Sequence, residues 1–170
     1  MTRAARALRF ATAEESDAAA IAELRSAVAE ELTERYGGGH WSGLATERGV
    51  LHAVRTSRIV VARRSGAIVG TLRLATKKPW AIDTSYFTKV DRPLYLTDMA
   101  VDPRLQRKGI GRQLLAEAAS IARHWPANAI RLDSYAEAAG AGPFYEKCGY
   151  REVGRAKYRG TPLIYFELLV

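Results

Sequence analysis

A glycine-containing turn between a predicted strand and a predicted helix holds the residues best suited to bind an anion. The turn runs from Gln106 to Gly111 and follows the predicted strand Leu94–Val101. The first amides of a helix have no partner within the helix and attract anions, and glycines let a phosphate approach the backbone closely. Positive charge surrounds the turn at Arg104, Arg107, Lys108 and Arg112. These features predict a diphosphate site, and a basic turn that binds nothing is the alternative interpretation.

Two other phosphate-binding patterns do not fit this sequence. A dinucleotide fingerprint requires a third glycine three positions after Gly111, and Leu114 occupies that position. A P-loop requires glycine and lysine followed by serine or threonine, and no such tripeptide occurs in the chain. A diphosphate site at this turn would therefore be of a different type.

Length and composition indicate what kind of protein contains this turn. The 170 residues are about the length of one domain, and a hydrophobic fraction of 48% argues against a disordered chain. No apolar run is long enough to span a membrane, and the N-terminus lacks the apolar region of a secretory signal. Cys148 is the only cysteine, which fits a reducing compartment. We expect a cytoplasmic protein with one domain over residues 1–170, of which 1–6 form a flexible extension.

The formal net charge of +8 bears on the choice of partner. A basic balance favours polyanions such as nucleic acid, an acidic membrane surface or a phosphorylated small molecule. Net charge alone does not distinguish among these partners. A basic surface that only keeps the protein soluble is the remaining interpretation.

Hydrophobic periodicity predicts seven strands and four helices in the order β-α-α-β-β-β-α-β-α-β-β. The first helix is expected to begin at a cap on Thr12, Ser16 or Asp17 and to end at Gly37. The other predicted helices are Leu44–Val54, a helix from Ile110 that stops near Trp125, and a short helix with Pro143 at its start. The predicted strands are Ala7–Ala11, Arg58–Arg64, Ala67–Ala75, Leu94–Val101, Ala129–Ser134, Tyr150–Ala156 and Leu163–Leu169. This order predicts a single α/β or α+β domain with a mixed sheet.

The turn resembles the cofactor-binding motif of the GNAT family of N-acetyltransferases. That motif reads Gln or Arg, any two residues, Gly, any residue, and Gly or Ala, and Gln106, Gly109 and Gly111 match it in full. The segment Gly142–Tyr150 resembles the Phe-Tyr-x-x-x-Gly-Phe/Tyr signature of the same family. The element order is similar to that family from Leu8 to Leu169. The resemblance implies a mixed, mostly antiparallel sheet flanked by helices.

The resemblance also implies where acetyl-CoA would bind. Backbone groups of Met99, Ala100 and Val101 would align the pantetheine arm and polarise the thioester, and the turn would hold the pyrophosphate. Many members carry an asparagine where this chain has Ala138, so Ser134 or Tyr135 is expected to contribute instead. The implied cofactor-binding residues are Met99, Ala100, Val101, Gln106, Arg107, Lys108, Gly109, Ile110, Gly111, Arg112 and Ser134.

Two residues are predicted to handle protons. Tyr145 matches the family's frequent general acid, and its O–H would protonate the departing thiolate; packing within a short helix is the alternative. Asp98 is the carboxylate nearest the expected thioester position and is the candidate general base. It could equally be a structural acceptor for backbone N–H groups. Some members carry a glutamate base where this chain has Tyr95, so that assignment does not transfer.

The function implied by the resemblance is transfer of an acetyl group from acetyl-CoA to a primary amine by direct attack. The acceptor is expected to be a small-molecule or protein amine. No nucleic acid, membrane or metal partner is expected. Members of the family are often dimers, so a homodimer is compatible with the resemblance. His40, His52 and His124 lack the spacing of metal ligands. The alternatives are a basic nucleic-acid-binding module and a non-catalytic CoA sensor. Trp41, Trp80 and Phe87 would either wall the acceptor pocket or plug the edge of a core.

Overall fold

The computed structural model describes residues 7–170, so the predicted extension at residues 1–6 lies outside the described residues. The described chain contains seven strands and four helices in the predicted order. The strands are β1 (Arg9–Thr12), β2 (Arg58–Arg64), β3 (Ala67–Ala75), β4 (Pro93–Val101), β5 (Ala129–Tyr135), β6 (Arg151–Tyr158) and β7 (Thr161–Leu169). The helices are α1 (Ala18–Tyr36), α2 (Glu47–Thr56), α3 (Ile110–His124) and α4 (Gly142–Lys147).

The strand order is β1-β2-β3-β4-β5-β7-β6. Residues 7–74 and 98–118 form one compact unit, here called unit 1, and residues 75–97 and 119–170 form unit 2. Strand β4 and helix α3 each contribute residues to both units. Strand β1 pairs with β2, β2 with β3, β5 with β7 and β6 with β7 in antiparallel fashion, whereas β4 and β5 are parallel. The sheet is therefore mixed and mostly antiparallel, as predicted.

In unit 1, helices α1 and α2 cover one face of β2. Ile21 of α1 and Val50 of α2 are fully buried together with Ile59 and Val61 of β2. Side chains alternate between the two faces of a strand, so Ile59 and Val61 share this face. The pairing of Ile59 with Arg73 places Arg73 of β3 on the same face. This face therefore carries an apolar core with an arginine beside it.

Helix α3 packs on the opposite face of β3 in unit 1. Gly70 pairs with Ala62, and a Cβ atom on Gly70 would lie 2.8 Å from Leu114 Cδ1 and 3.2 Å from Ile110 Cγ2. Contacts this short leave no room for a side chain. The missing side chain lets the first turns of α3 lie directly on the strand.

In unit 2, β4 runs parallel to β5, and β7 lies between β5 and β6. The irregular segment before β4 lies on this part of the sheet. Tyr165 of β7 donates a hydrogen bond to the Ala81 carbonyl (2.5 Å), and Arg131 of β5 donates one to the Thr88 carbonyl (2.6 Å). Arg131 is buried and ion-paired to buried Glu167, with an N–O distance of 3.5 Å. A buried charge of this kind requires its partner.

Several boundaries differ from the sequence-based prediction. A short helical turn with a capping box between Glu14 and Asp17 precedes α1. Asp17, one of the three predicted caps, is the N-cap of α1, and the predicted cap at Thr12 is wrong. Thr12 instead belongs to β1, where it pairs with Val60 of β2. Helix α2 begins at Glu47, three residues later than predicted, because the Thr46 hydroxyl accepts a hydrogen bond from the Gly49 amide. No helix among the described residues is long and apolar enough to cross a membrane.

Candidate functional site

Asp98 interrupts the regular backbone of β4 immediately before Met99. Its φ is +54°, in the left-handed region that Asp tolerates better than most non-glycine residues. A left-handed residue within a strand breaks the regular alternation of the backbone, as it does in a β-bulge. Met99, Ala100 and Val101, the residues implied to contact the pantetheine arm, therefore follow a change of backbone direction.

The Asp98 carboxylate is paired with two arginines of unit 1. Arg25 of α1 donates a hydrogen bond from Nη2 to Oδ1 (2.8 Å), and Arg73 Nη1 lies 3.8 Å from Oδ2. The three side chains are between 28% and 30% exposed. The carboxylate thus links α1 and β3 to the irregular point of β4, and an arginine faces each of its oxygens.

Asp102 fixes the start of the turn. Its amide donates to the Val69 carbonyl (2.9 Å), and its carboxylate accepts from the backbone and the guanidinium of Arg104. The hydrogen bond from the Arg104 side chain holds the pKa of this carboxyl below its usual range, although burial acts in the opposite direction. The chain therefore leaves β4 anchored to β3 and enters the turn in one orientation.

The turn contains two residues in the left-handed region, Arg107 at φ +59° and Gly109 at φ +82°. Gln106 Nε2 donates to the Val101 carbonyl (3.2 Å), which ties the turn to the end of β4. Helix α3 then begins at Ile110. Left-handed residues next to a helix start let successive N–H groups converge on an anion. Glycine was predicted from the sequence to provide this freedom, but the left-handed Arg107 was not.

The structure brings the predicted anion-binding residues together at one end of α3. Arg104, Arg107, Lys108 and Arg112 are exposed, whereas Ile110 is buried beneath the turn. The positive end of the helix and the exposed cations combine at this position. The arrangement fits a bound diphosphate, with backbone amides at the helix start and exposed basic side chains supplying charge around it.

In unit 2, Ser134 positions the start of α4. The buried Ser134 hydroxyl accepts a hydrogen bond from the Ala141 amide (3.0 Å), directly before the helix begins at Gly142. Gly142 packs close to the ring of Phe166, where an added Cβ would lie at 3.4 Å. Ser134 was predicted to contact the cofactor, and in the structure its oxygen supports the helix that carries Tyr145.

Tyr145 is buried, with 7% of its surface exposed. The rings of Phe144, Tyr150 and Phe166 have centroids between 5.4 and 5.8 Å from its own. Burial raises the pKa of Tyr145 well above its ordinary value, and the negative charge of Asp133 adds to the shift. The phenol therefore keeps its proton at neutral pH, as a proton donor must.

Asp133 is a titratable group that sequence reasoning missed. It lies on β5 opposite Tyr165 of β7, and burial raises its pKa above the usual value for a carboxyl group. Its charge also acts on the pKa values of Tyr135 and Tyr165, so it lies within electrostatic range of three tyrosines. The available signal was the only carboxylate of this strand, between Leu132 and Ser134.

The remaining aromatic candidates have different environments. Trp80 is 85% exposed, whereas Phe87 is buried against Tyr165 with 5.4 Å between ring centroids. Trp41 Nε1 donates to the Gly37 carbonyl (2.9 Å) and so closes the loop after α1. Phe87 is therefore part of a core. Within residues 7–170, no group of three or more His, Cys, Asp or Glu side chains is arranged to hold a metal ion.

The family model of the acetyltransferase (GNAT) domain matches residues 55–152, which is more than half of the chain. The chain belongs to the GNAT family. The matched region contains the β4 residues, the turn and Tyr145. The GNAT resemblance seen in the sequence is therefore confirmed.

Solved structures show the same GNAT fold. A GNAT acetyltransferase from Listeria monocytogenes is 18% identical, with a TM-score of 0.77, and the match covers 100% of this chain and 99% of that one. The structure of yncA from Salmonella typhimurium with its cofactor acetyl-CoA is 18% identical, with a TM-score of 0.71 and coverage of 96% and 94%. A ribosomal-protein-alanine N-acetyltransferase from Brucella melitensis is 18% identical, with a TM-score of 0.71 and coverage of 95% and 99%. No curated protein matches the sequence.

The raised pKa of Asp133 predicts a pH-dependent difference in stability between the native chain and Asp133→Asn. Because the folded state favours the protonated carboxyl, the stabilising contribution is complete below the unfolded pKa of about 3.9 and is lost as the pH rises through the higher folded pKa. Asp133→Asn cannot ionise and should gain stability relative to the native chain over that interval. Urea unfolding midpoints between pH 3.5 and 8 measure the difference, with Asp91→Asn as an exposed control. A difference that does not vary with pH would contradict the assignment.

Proposed function

We propose that this GNAT protein is an N-acetyltransferase that transfers the acetyl group of acetyl-CoA to a primary amine. The observation that carries the proposal is the turn of residues 106–111. It combines left-handed Arg107 and Gly109 with the start of α3 and with exposed cations. A nucleotide that carries a diphosphate needs backbone amides of this kind at a helix start. The yncA neighbour from Salmonella typhimurium, which contains acetyl-CoA, supports the choice of cofactor.

The residues that would hold acetyl-CoA form two adjacent groups in unit 1. The backbone of Met99, Ala100 and Val101 would lie along the pantetheine arm and polarise the thioester carbonyl. The turn amides would hold the pyrophosphate, with Arg107, Lys108 and Arg112 compensating its charge. Preorganised N–H groups aimed at a developing oxyanion are typically the largest contribution to such catalysis. Ser134 of unit 2 is proposed to act mainly by supporting α4.

Introducing carboxylates into the turn should weaken cofactor binding. Gly109→Glu combined with Gly111→Glu puts two negative charges where the diphosphate is expected, and a side chain at Gly109 strains its left-handed backbone. Calorimetric titration should give one-to-one binding of acetyl-CoA to the native chain, weakened at least about tenfold in the variant, or roughly 1.4 kcal/mol.

The titration includes a control variant and has an outcome that contradicts the proposal. Ala116→Glu adds the same kind of charge to an exposed position of α3 beyond the turn and serves as the matched control. It should leave binding almost unchanged. No binding of acetyl-CoA by the folded native chain would contradict the proposal. The alternative of a basic nucleic-acid-binding module would then be favoured.

Acetyl-CoA supplies an activated thioester, so the amine nitrogen attacks the carbonyl carbon, a C–N bond forms and the C–S bond breaks. The amine loses a proton in this exchange, and the departing sulfur gains one. Tyr145 is the proposed proton donor, because its buried hydroxyl stays protonated at neutral pH. A positioned acid typically contributes a factor of roughly 10²–10⁴ to the rate.

Removing the Tyr145 hydroxyl should lower turnover. Tyr145→Phe keeps the ring contacts with Tyr150 and Phe166, so the fold and the KM for acetyl-CoA should be almost unchanged while kcat falls by roughly 10²-fold. Tyr150→Phe is the matched control, because the buried Tyr150 hydroxyl has no hydrogen-bond partner among the described residues. Initial rates of thiol release measure both variants. Equal kcat values for Tyr145→Phe and the native chain would show that Tyr145 only packs.

Two carboxyl groups are proposed as candidates for accepting the proton of the amine. Asp98 precedes Met99, but its oxygens are paired with Arg25 and Arg73. Asp133 is desolvated, and burial raises its pKa, which suits a group that must take up a proton. Its charge also influences Tyr145, the proposed acid. The electrostatic surroundings therefore favour Asp133.

Asparagine substitutions distinguish the two carboxyl groups. Asp133→Asn should lower kcat by roughly 10²-fold and remove the acidic limb of the kcat profile against pH, because the group that must lose its proton is gone. Asp98→Asn keeps a residue that tolerates the left-handed backbone and should lower kcat less than about tenfold. Rates measured between pH 5 and 9 decide between them. The reverse ranking of the two variants would assign the base to Asp98.

A further inference from the structure

Arg73, Arg25 and Asp98 form a charged cluster on the α1 and α2 face of unit 1. Arg73 pairs in the sheet with Ile59, whose side chain packs against these helices. Gly70 of the same strand faces α3 on the other side, where Leu114 approaches it. The cluster and the first turns of α3 therefore lie on opposite faces of this part of the sheet. A molecule held by the cluster would approach β4 from the face that α3 leaves open.

Arg73 has hydrogen-bonding capacity that the fold does not use. Its Nε donates to the Ser57 hydroxyl (2.7 Å), which fixes the orientation of the guanidinium. Its Nη1 lies 3.8 Å from Asp98 Oδ2, too far for a hydrogen bond. Within residues 7–170, neither Nη atom of Arg73 donates a hydrogen bond. The side chain is 29% exposed, so these donors are accessible from solvent.

The charge of the cluster is unbalanced. Arg25 and Arg73 contribute two positive charges and Asp98 contributes one negative charge, which leaves an excess of one. The edge of a guanidinium presents two parallel N–H donors that match the two oxygens of a carboxylate. One further carboxylate would balance the charge and use the Nη donors of Arg73.

We propose that Arg73, assisted by Arg25, binds a carboxylate of the acceptor, so that the substrate is an amino acid or another small aminocarboxylate. The inference rests on the proposed acetyltransferase function and names its acceptor class. Asp98, which pairs with both arginines, immediately precedes Met99, where the thioester carbonyl is expected. A carboxylate held here leaves the amine of a small molecule close to β4.

A purely structural role for the cluster explains only part of it. The 2.8 Å contact between Arg25 and Asp98 ties α1 to β4 and supports the left-handed backbone at Asp98. For Arg73, which Ser57 orients, a structural role accounts only for an ion pair at 3.8 Å and leaves the Nη donors without a hydrogen bond in the described part of the chain. A carboxylate ligand gives that arginine a function.

The test compares each of the common α-amino acids with its own amide as acceptor. The two molecules share the amine and the side chain and differ in the carboxylate charge. We expect the kcat/KM of at least one free amino acid to exceed that of its amide by tenfold or more. Arg73→Gln should raise the KM for that amino acid at least tenfold and remove the preference, while the KM for acetyl-CoA stays the same.

Two further variants separate charge, geometry and folding. Arg73→Lys keeps the charge without the paired donors and should recover only part of the preference. Arg123→Gln removes an exposed arginine in the last turn of α3 and should leave the preference intact. Titration of the same amino acids into the native chain with CoA present measures binding without turnover.

Each result either supports or overturns the assignment of an aminocarboxylate acceptor. Equal use of amino acids and amides, or an unchanged preference in Arg73→Gln, overturns the acceptor assignment and leaves the acetyltransferase function standing. Binding of acetyl-CoA with neither turnover nor binding of any amino acid overturns the acceptor assignment as well. Failure to bind acetyl-CoA at all overturns the proposed function, and this inference falls with it.

Discussion

The site in unit 1 depends on one constraint, the left-handed backbone of Asp98 inside a strand. A non-glycine residue in that region is held there by its surroundings, and here the hydrogen bond from Arg25 supplies the restraint. The residue separates the part of β4 that pairs with β5 from Met99–Val101, whose backbone is expected to contact substrate. Because Arg25 belongs to α1, the position of that helix and the geometry of the strand are coupled. In the proposed function, a segment of a strand rather than a loop therefore binds the substrate.

The two carboxylates proposed as candidate bases, Asp98 and Asp133, have different surroundings. Asp98 is paired with Arg25 and Arg73, so it ties α1 and β3 to β4. Asp133 is desolvated, and its ionised form is costly, which gives it a stronger tendency to take up a proton. The same residue type is therefore an ion-pair partner in one unit and a desolvated group with a raised pKa in the other. The difference arises from burial and partners alone.

The sequence predicted the features that depend on neighbouring residues. Glycines at 109 and 111, periodic apolar residues and Pro143 are local signals, and the element order and the turn followed from them. The pairing of Arg25 with Asp98 joins residues 73 positions apart, and no local pattern indicates it. The burial of Asp133 likewise depends on how β5 packs. At the first helix, Thr12, Ser16 and Asp17 all had suitable spacing, and the structure distinguishes Asp17 as the N-cap of α1. The cap at Thr46 was missed because the second helix was predicted to begin at Leu44.

The two proposed anion-binding features of unit 1 give the positive charge of the chain a local explanation. At the turn, the cations are exposed, so salt screens them, and the backbone amides must provide specificity. At the cluster, Arg73 is partly buried and held by Ser57, so its charge is less screened and its orientation is fixed before a ligand arrives. Preorganised donors lose less entropy on binding than mobile ones. The first feature suits a large polyanion with several phosphates, and the second suits a single small carboxylate. A basic chain therefore requires no nucleic acid to account for its charge at these positions.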